Sequence, residues 1–216
     1  MNENTVVTAL HCVAFLPSSV VYVRVGATDL RDVKSSNIHA IEKIIGYRKV
    51  VNMAVPSDLA ILKLRTPIKF RKGSIEPACF NLNKRAYHGQ LMGSGYGMTT
   101  NFKTRFGIPT TYVRPSDKLK QAQFKVRRCL SFLICTRPVT AGDSACMGDS
   151  GSPIHDHEIN GRTTVEGVLS FVTGTRRFGS ATRVWCNGAA GYSKISSSAY
   201  RNWFKNTVGE DSFCKA

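Results

Sequence analysis

No stretch of this sequence stays apolar for the roughly 18 residues that a membrane-spanning helix needs, so a helical membrane span is excluded. The opening Met1-Asn2-Glu3-Asn4 has neither the basic nor the apolar region of a secretory leader. No Pro/Gly/Ser-rich stretch or charge block divides the 216 residues, and no repeat of fixed period runs through them, which points to one compact, two-lobed unit. Cys-x-x-Cys pairs, a Gly-rich phosphate loop and RNA-binding signatures are all missing, and with them go zinc fingers and P-loop nucleotide chemistry.

Negative charge is the other scarcity, since 14 Asp+Glu face 30 Lys+Arg and leave a net charge of +16. The imbalance is local. Residues 63–137 hold 16 basic and 2 acidic groups, whereas residues 1–62 hold 6 and 5 and residues 138–216 hold 8 and 7. Such a segment makes a positive field that gathers polyanions, a heparin-like glycan before nucleic acid, because no nucleic-acid motif accompanies the charge. At 42 % hydrophobic residues the chain can still build a core.

Seven cysteines, at 12, 79, 129, 135, 146, 186 and 214, are widely spaced, as disulfides of an oxidising compartment are. Seven is odd, so at least one thiol lacks an internal partner. Short β-branched runs at Thr5–Thr8, Val20–Val25, Ile41–Ile45, Leu59–Leu64, Val165–Val172 and Gly191–Ile195, each bounded by turn residues, predict strands of a sandwich or barrel. After serines 196–198, Tyr200, Trp203, Phe204 and Val208 recur at helical spacing and Gly209 follows, which predicts a capped amphipathic helix.

Three strings carry chemistry. In Gly148-Asp149-Ser150-Gly151-Ser152-Pro153 a serine flanked by glycines can expose its hydroxyl on a tight turn, with backbone N–H groups free to approach a developing oxyanion. Thr8-Ala9-Leu10-His11-Cys12 offers an imidazole, and Ser57-Asp58-Leu59-Ala60 a carboxylate, each at the end of an apolar strand. Together they supply an acyl-transfer triad: Ser150 as nucleophile, His11 as general base and then acid, and Asp58 to orient the imidazole. His155-Asp156-His157 offers two imidazoles without a third spaced ligand, so no metal and no cofactor is expected.

The order His, Asp, Ser, with intervals of 47 and 92 residues, resembles the chymotrypsin-like (trypsin-family) serine proteases from about residue 5 to residue 208. The resemblance implies an all-β fold of two packed antiparallel six-stranded β-barrels with a C-terminal α-helix. It places one peptidase domain over residues 1–216, with lobes at roughly 1–85 and 86–196 and a helix at 197–208. It also implies peptide or protein substrates, protease inhibitors as partners, and secretion.

Carried over residue by residue, the resemblance makes His11, Asp58 and Ser150 the triad, and the N–H groups of Gly148 and Ser150 the oxyanion hole. Asp149 is then the partner of a freed N-terminal amine in the active state. Cys146 and Cys186 resemble the family's bridge beside the specificity pocket, Cys129 and Cys135 resemble another across an unusually short loop, and elimination leaves Cys79 and Cys214 as the expected third pair. Counting back from Ser150 puts Ser144 at the floor of the specificity pocket beside Ala145, with Ser170, Val172 and Ala190 on its walls. A neutral floor disfavours Lys or Arg substrate side chains, and Val172 and Ala190 make the slot shallow, which suits apolar residues. Asp143-Ser144-Ala145-Cys146 also resembles the trypsin-type Asp-Ser-Cys with one residue added, so basic specificity stands as the second reading.

Between Ser170 and Cys186 lie extra residues, including Arg176, Arg177 and Arg183, which are expected at the pocket mouth. Only ten residues precede His11, and none forms the Ile/Val-type start of an active family member. The expectation is therefore a first barrel lacking two strands, Cys12 as the orphan thiol, and an N-terminally truncated, inactive or zymogen-like form of a secreted protease.

Overall fold

Thr5–Thr8 (β1), Tyr22–Val25 (β2), Asn37–Gly46 (β3) and Ala60–Leu64 (β4) pair antiparallel in the order β1-β4-β3-β2. The computed structural model describes residues 2–32, 37–47, 57–80, 82, 90–105, 108–159, 162–178, 182–186 and 188–209. Strand β4 is apolar on both faces, and its period of two sorts the side chains. Ala60, Leu62 and Leu64 join Ile41, Ile68 and Ile75 in the core of this lobe, while Leu59 and Ile61 face a second core shared with the rest of the chain.

The second lobe is a closed ring. Gln90–Gly95 (the sixth strand, after the two-residue β5 at Cys79–Phe80) is β6, the hairpin Met98–Arg105 and Ile108–Pro115 forms β7 and β8, and Lys120–Arg127 and Leu133–Pro138 are β9 and β10. Pro153–Ile159 (β11) and Arg162–Val172 (β12) follow, then a small hairpin of Thr175–Phe178 (β13) and Thr182–Trp185 (β14), and Ala190–Lys194 (β15). Pairing runs β6-β9-β10-β15-β12-β11 and back from β11 to β6, so six strands close a barrel, and β5 adds to β12 in parallel. Closure removes the open edges that a free sheet would present. Inside sit Leu91, Phe124, Ile134, Ile154, Leu169 and Tyr192.

The expected architecture is present: among the described residues one barrel closes with six strands, and the other lobe is an open four-stranded sheet. The final helix, α1, spans Ser198–Val208 and ends at Gly209, whose φ of 81° is the left-handed conformation that glycine adopts without strain. Tyr200, Phe204 and Val208 are buried at the i, i+4, i+8 spacing read from the sequence. They pack with Leu59 and Ile61 of the first lobe, Phe80 of β5, and Val165 and Val168 of the second lobe, so the helix helps to fill the core shared by both lobes. Tyr47 seals its start, donating its hydroxyl to the Ala199 carbonyl at 2.8 Å, with ring contacts to Tyr200 and Trp203.

Disulfides join Cys129 to Cys135 and Cys146 to Cys186. Cys79 is also disulfide-bonded, while Cys214, its expected partner, lies outside the described residues. Among the described residues Cys12 is the free thiol.

Candidate active site

The antiparallel register of β1 on β4, with Thr8 opposite Ala60, sets the residues just after β1 beside those just before β4. That places His11, in the 3-10 turn Leu10–Cys12, against Asp58, two residues before β4. The carboxylate holds the histidine twice. Oδ1 accepts the His11 backbone N–H at 2.8 Å, and Oδ2 lies 2.7 Å from Nδ1, the geometry in which Nδ1–H donates. Asp58 is buried while the His11 side chain is about half exposed, so the pair joins a shielded anchor to an accessible imidazole. Ser170, on β12, donates its hydroxyl to the same Oδ2 at 2.7 Å and thereby ties the anchor to the second lobe.

Ser150 sits between two glycines of positive φ, 88° at Gly148 and 83° at Gly151. A side chain at Gly151 would run into Thr8 Oγ1, so the serine turn lies against the end of the strand that leads to His11. Hydrogen bonds from Gly151 N–H to the Leu169 carbonyl (2.9 Å) and from Leu169 N–H to the Ser152 carbonyl (2.8 Å) fix the turn on β12. Among the described residues, the N–H groups of Gly148 and Ser150 find no acceptor. Nor is a Ser150–His11 hydrogen bond formed. The free ring nitrogen, His11 Nε2, lies 3.6 Å from Cys12 Sγ instead. Burial, and after it the charge of Asp58, push the Cys12 thiol up from its ordinary value, so it meets Nε2 in its protonated form.

Beside the turn lies a cavity of about 530 Å³ whose lining includes Ser144, Ala145, Asp143, Asp149, Lys120 and Tyr192. Two of the pocket residues named from the sequence, Ser144 and Ala145, are therefore on its wall. Val172 and Ala190 face each other across β12 and β15 and pack into the barrel core, and Ser170 turns to Asp58. The Cys146–Cys186 bridge closes one side of the cavity. The hairpin β13–β14, which carries Arg176, Arg177 and Arg183, follows β12 directly.

Asp149 is held in the cavity wall by the N–H groups of Gly97 (2.7 Å) and Cys146 (2.9 Å). Burial pushes its carboxyl up, and the two N–H donors pull against that shift without cancelling it. A Cβ at Gly95 or Gly97 would collide with the carboxylate, which explains both glycines. Burial, followed by the nearby Asp149 charge, also pushes the Tyr192 phenol well up. Two features escaped the sequence reading. Nothing in a lone serine on β12 signals a hydrogen bond to a carboxylate 112 residues earlier, but the His11-Cys12 adjacency did contain the thiol contact.

A closed six-stranded barrel packed against a second antiparallel sheet, with a His–Asp pair on one lobe, a glycine-flanked serine on the other and a terminal helix, is the chymotrypsin class of fold. The chain belongs to the trypsin family, whose sequence model, described as Trypsin, matches residues 1–187. It is 26 % identical over 184 residues to serine proteinase stubble of Drosophila melanogaster, covering 81 % of this chain and 23 % of that protein. It is 25 % identical over 222 residues to U21-ctenitoxin-Pn1a of Phoneutria nigriventer, covering 96 % of this chain and 86 % of that one. Among solved structures, human heparin binding protein superposes with a TM-score of 0.71 at 20 % identity, over 100 % of this chain and 86 % of the other.

Proposed function

We propose that this chain is a secreted serine endopeptidase that cleaves peptide bonds through an acyl-enzyme. The observation that carries the reading is the Asp58 carboxylate fixing His11 by its backbone N–H and Nδ1 while Ser170 holds the same carboxylate. With Nδ1–H committed to Asp58, Nε2 is the basic nitrogen. Rotation of the imidazole from Cys12 towards Ser150 lets Nε2 take the Oγ proton as Oγ attacks the scissile carbonyl carbon. The proton then passes to the leaving amine, and water attacks the ester by the same route in reverse. Gly148 and Ser150 N–H groups are the donors for the oxyanion, each worth about 10²–10³ in rate. Asp149 is the partner for a cationic amine that orders this turn in the active state.

Primary specificity is apolar. Ser144 and Ala145 are neutral residues of the cavity wall, the Asp149 carboxylate is engaged by the N–H groups of Gly97 and Cys146, and Asp143 is exposed and so well solvated that it offers a buried cation little compensation. Protein substrates and protease inhibitors are the partners of such a cleft, and the disulfides fit secretion.

A panel of peptide p-nitroanilides with apolar, Lys or Arg residues at the cleaved bond tests this. Hydrolysis of the apolar set, lost in Ser150→Ala, is expected; turnover no greater than that of Ser150→Ala contradicts the enzyme, and faster Lys/Arg cleavage contradicts the specificity. A second reading, a non-catalytic or zymogen-like protease homologue that binds anionic partners, draws on the 16 basic groups of residues 63–137 and on the likeness to a heparin binding protein. Polyanion binding by itself is compatible with the enzyme, since the charge lies outside His11, Asp58 and Ser150, and the loss or presence of Ser150-dependent turnover separates the two readings.

A further inference from the structure

The outer wall of the closed barrel carries cations that the catalytic reading does not use. Along β9 the side chains alternate: Phe124 is buried and Ala122 and Val126 are half-buried on the inward face, while Gln121, Gln123, Lys125 and Arg127 are exposed on the other. The register sets Arg137 of β10 directly opposite Lys125, and Cys135 opposite Arg127. Directly opposed residues share a face, with Cβ atoms about 4.5–5.5 Å apart, and like charges so placed repel. Successive outward positions along a strand are about 6.5–7 Å apart. Lys125, Arg127 and Arg137 thus form a compact triangle, with exposed Arg128 beside it and the Cys129–Cys135 bridge pinning the turn that follows.

No acidic residue on β9, on β10 or on their sheet neighbours β6 and β15 neutralises this triangle. From Lys118 to Gly142 the sequence has 6 basic residues and no Asp or Glu, and β6, which flanks β9 on its other side, has no acid either. Among the described residues, none of these four cations takes part in an ion pair. A sheet face that opposes two cations, sets two further arginines beside them and carries no acid on the flanking strands is relieved when an anionic ligand lies on it.

We propose that the β9–β10 face is the binding site for a sulfated glycosaminoglycan chain. This rests on the polyanion reading and locates it. Guanidinium groups grip sulfate with paired N–H donors as they do other oxyanions. The strands hold the charges at fixed spacing, and Gln90 and Gln123 flank Lys125 with amides suited to sugar hydroxyls. Single-stranded nucleic acid is bound by stacking on aromatic side chains. The exposed positions of β9 have none, which favours the glycan.

The test is binding of a fluorescent heparin decasaccharide, over a range of salt, to the wild-type chain and to matched variants. The sheet variant combines Lys125→Gln, Arg127→Gln and Arg137→Gln. The control combines Lys69→Gln, Arg71→Gln and Lys72→Gln, three exposed cations of the first lobe, and loses the same charge. The sheet variant should weaken binding about tenfold or more and flatten the log-log salt slope by about two to three, close to one for each cation removed. The control should change binding less than about threefold, the screened effect of distant charge.

Lys125→Glu sets a carboxylate opposite Arg137, so it should raise the melting temperature while weakening binding, which separates loss of the site from loss of the fold. Equal losses in the two triple variants overturn the location. Tighter binding of a single-stranded oligonucleotide of equal charge overturns the glycan. No binding by the wild-type chain overturns the polyanion reading itself, and leaves peptide hydrolysis by Ser150 untouched.

Discussion

At the scale of single residues, Asp58 does two jobs. It fixes the tautomer of His11 through Nδ1 and fixes the ring's origin through the backbone N–H. Asp58→Asn can keep the shape but not the acceptor pair, and kcat for a peptide substrate should fall by about 10⁴. Ser170 acts through Asp58 and is a positioning residue. Ser170→Ala removes a hydrogen bond to a charged group, worth about 1.5–3 kcal/mol, so kcat/KM should drop about tenfold or more, with Ser170→Thr recovering part of it. Asp149 makes a prediction of opposite kind. Its folded carboxyl is pushed up by burial, so between the ordinary carboxylate range and that raised value the folded chain holds a proton the unfolded chain has lost. Stability therefore falls as pH rises through this window and levels off above it. The difference in unfolding free energy between the wild-type chain and Asp149→Asn, followed by urea from pH 3 to 8, should show that decline; a difference that does not change with pH contradicts the assignment.

At the scale of elements, α1 and the serine turn show how local pattern becomes a site. Phe204 is fully buried in the core shared by the two lobes, stacked on Phe80 at a centroid distance of 6.0 Å. Phe204→Ala should cost about 3–5 kcal/mol in equilibrium unfolding. At Gly151 the combination of positive φ and contact with Thr8 leaves no room for a side chain. Gly151→Ala should cost about 1–3 kcal/mol of stability and displace Ser150, so activity should fall further than stability alone explains. The sequence made α1 legible because its buried positions recur at a helical period on one face. Strands β1, β4, β12 and β15 were legible for a related reason, being β-branched or apolar runs buried by their neighbours. Strand β6, with glycines at 93 and 95, gave no such signal, and β9, where Gln121, Gln123, Lys125 and Arg127 alternate with Ala122, Phe124 and Val126, is not an apolar run. The pairing of β6 with β9 and β11 is a long-range property of ring closure that propensity does not contain. The triad residues were named from motifs and order, whereas the Ser170 anchor and the placement of Asp149 in the same cavity as Ser144 depend on how β12 and the serine turn meet in space.

At the scale of the whole molecule, chemistry and charge are separated. The His11–Asp58 pair comes from the open sheet, the serine turn from the closed barrel, and the core shared by β4, β12 and α1 holds the two lobes together. The positive charge lies mainly in the intervening residues 63–137, so salt should weaken the proposed polyanion binding without altering the His11–Asp58 pair. The central claim, that Ser150 is a nucleophile activated by His11, is tested most directly by reaction with a fluorophosphonate probe followed by mass analysis of the modified peptide. Stoichiometric modification at Ser150 alone is expected, abolished in Ser150→Ala and slowed by orders of magnitude in His11→Ala. A folded protein that leaves Ser150 unmodified, or is modified equally well without His11, contradicts it.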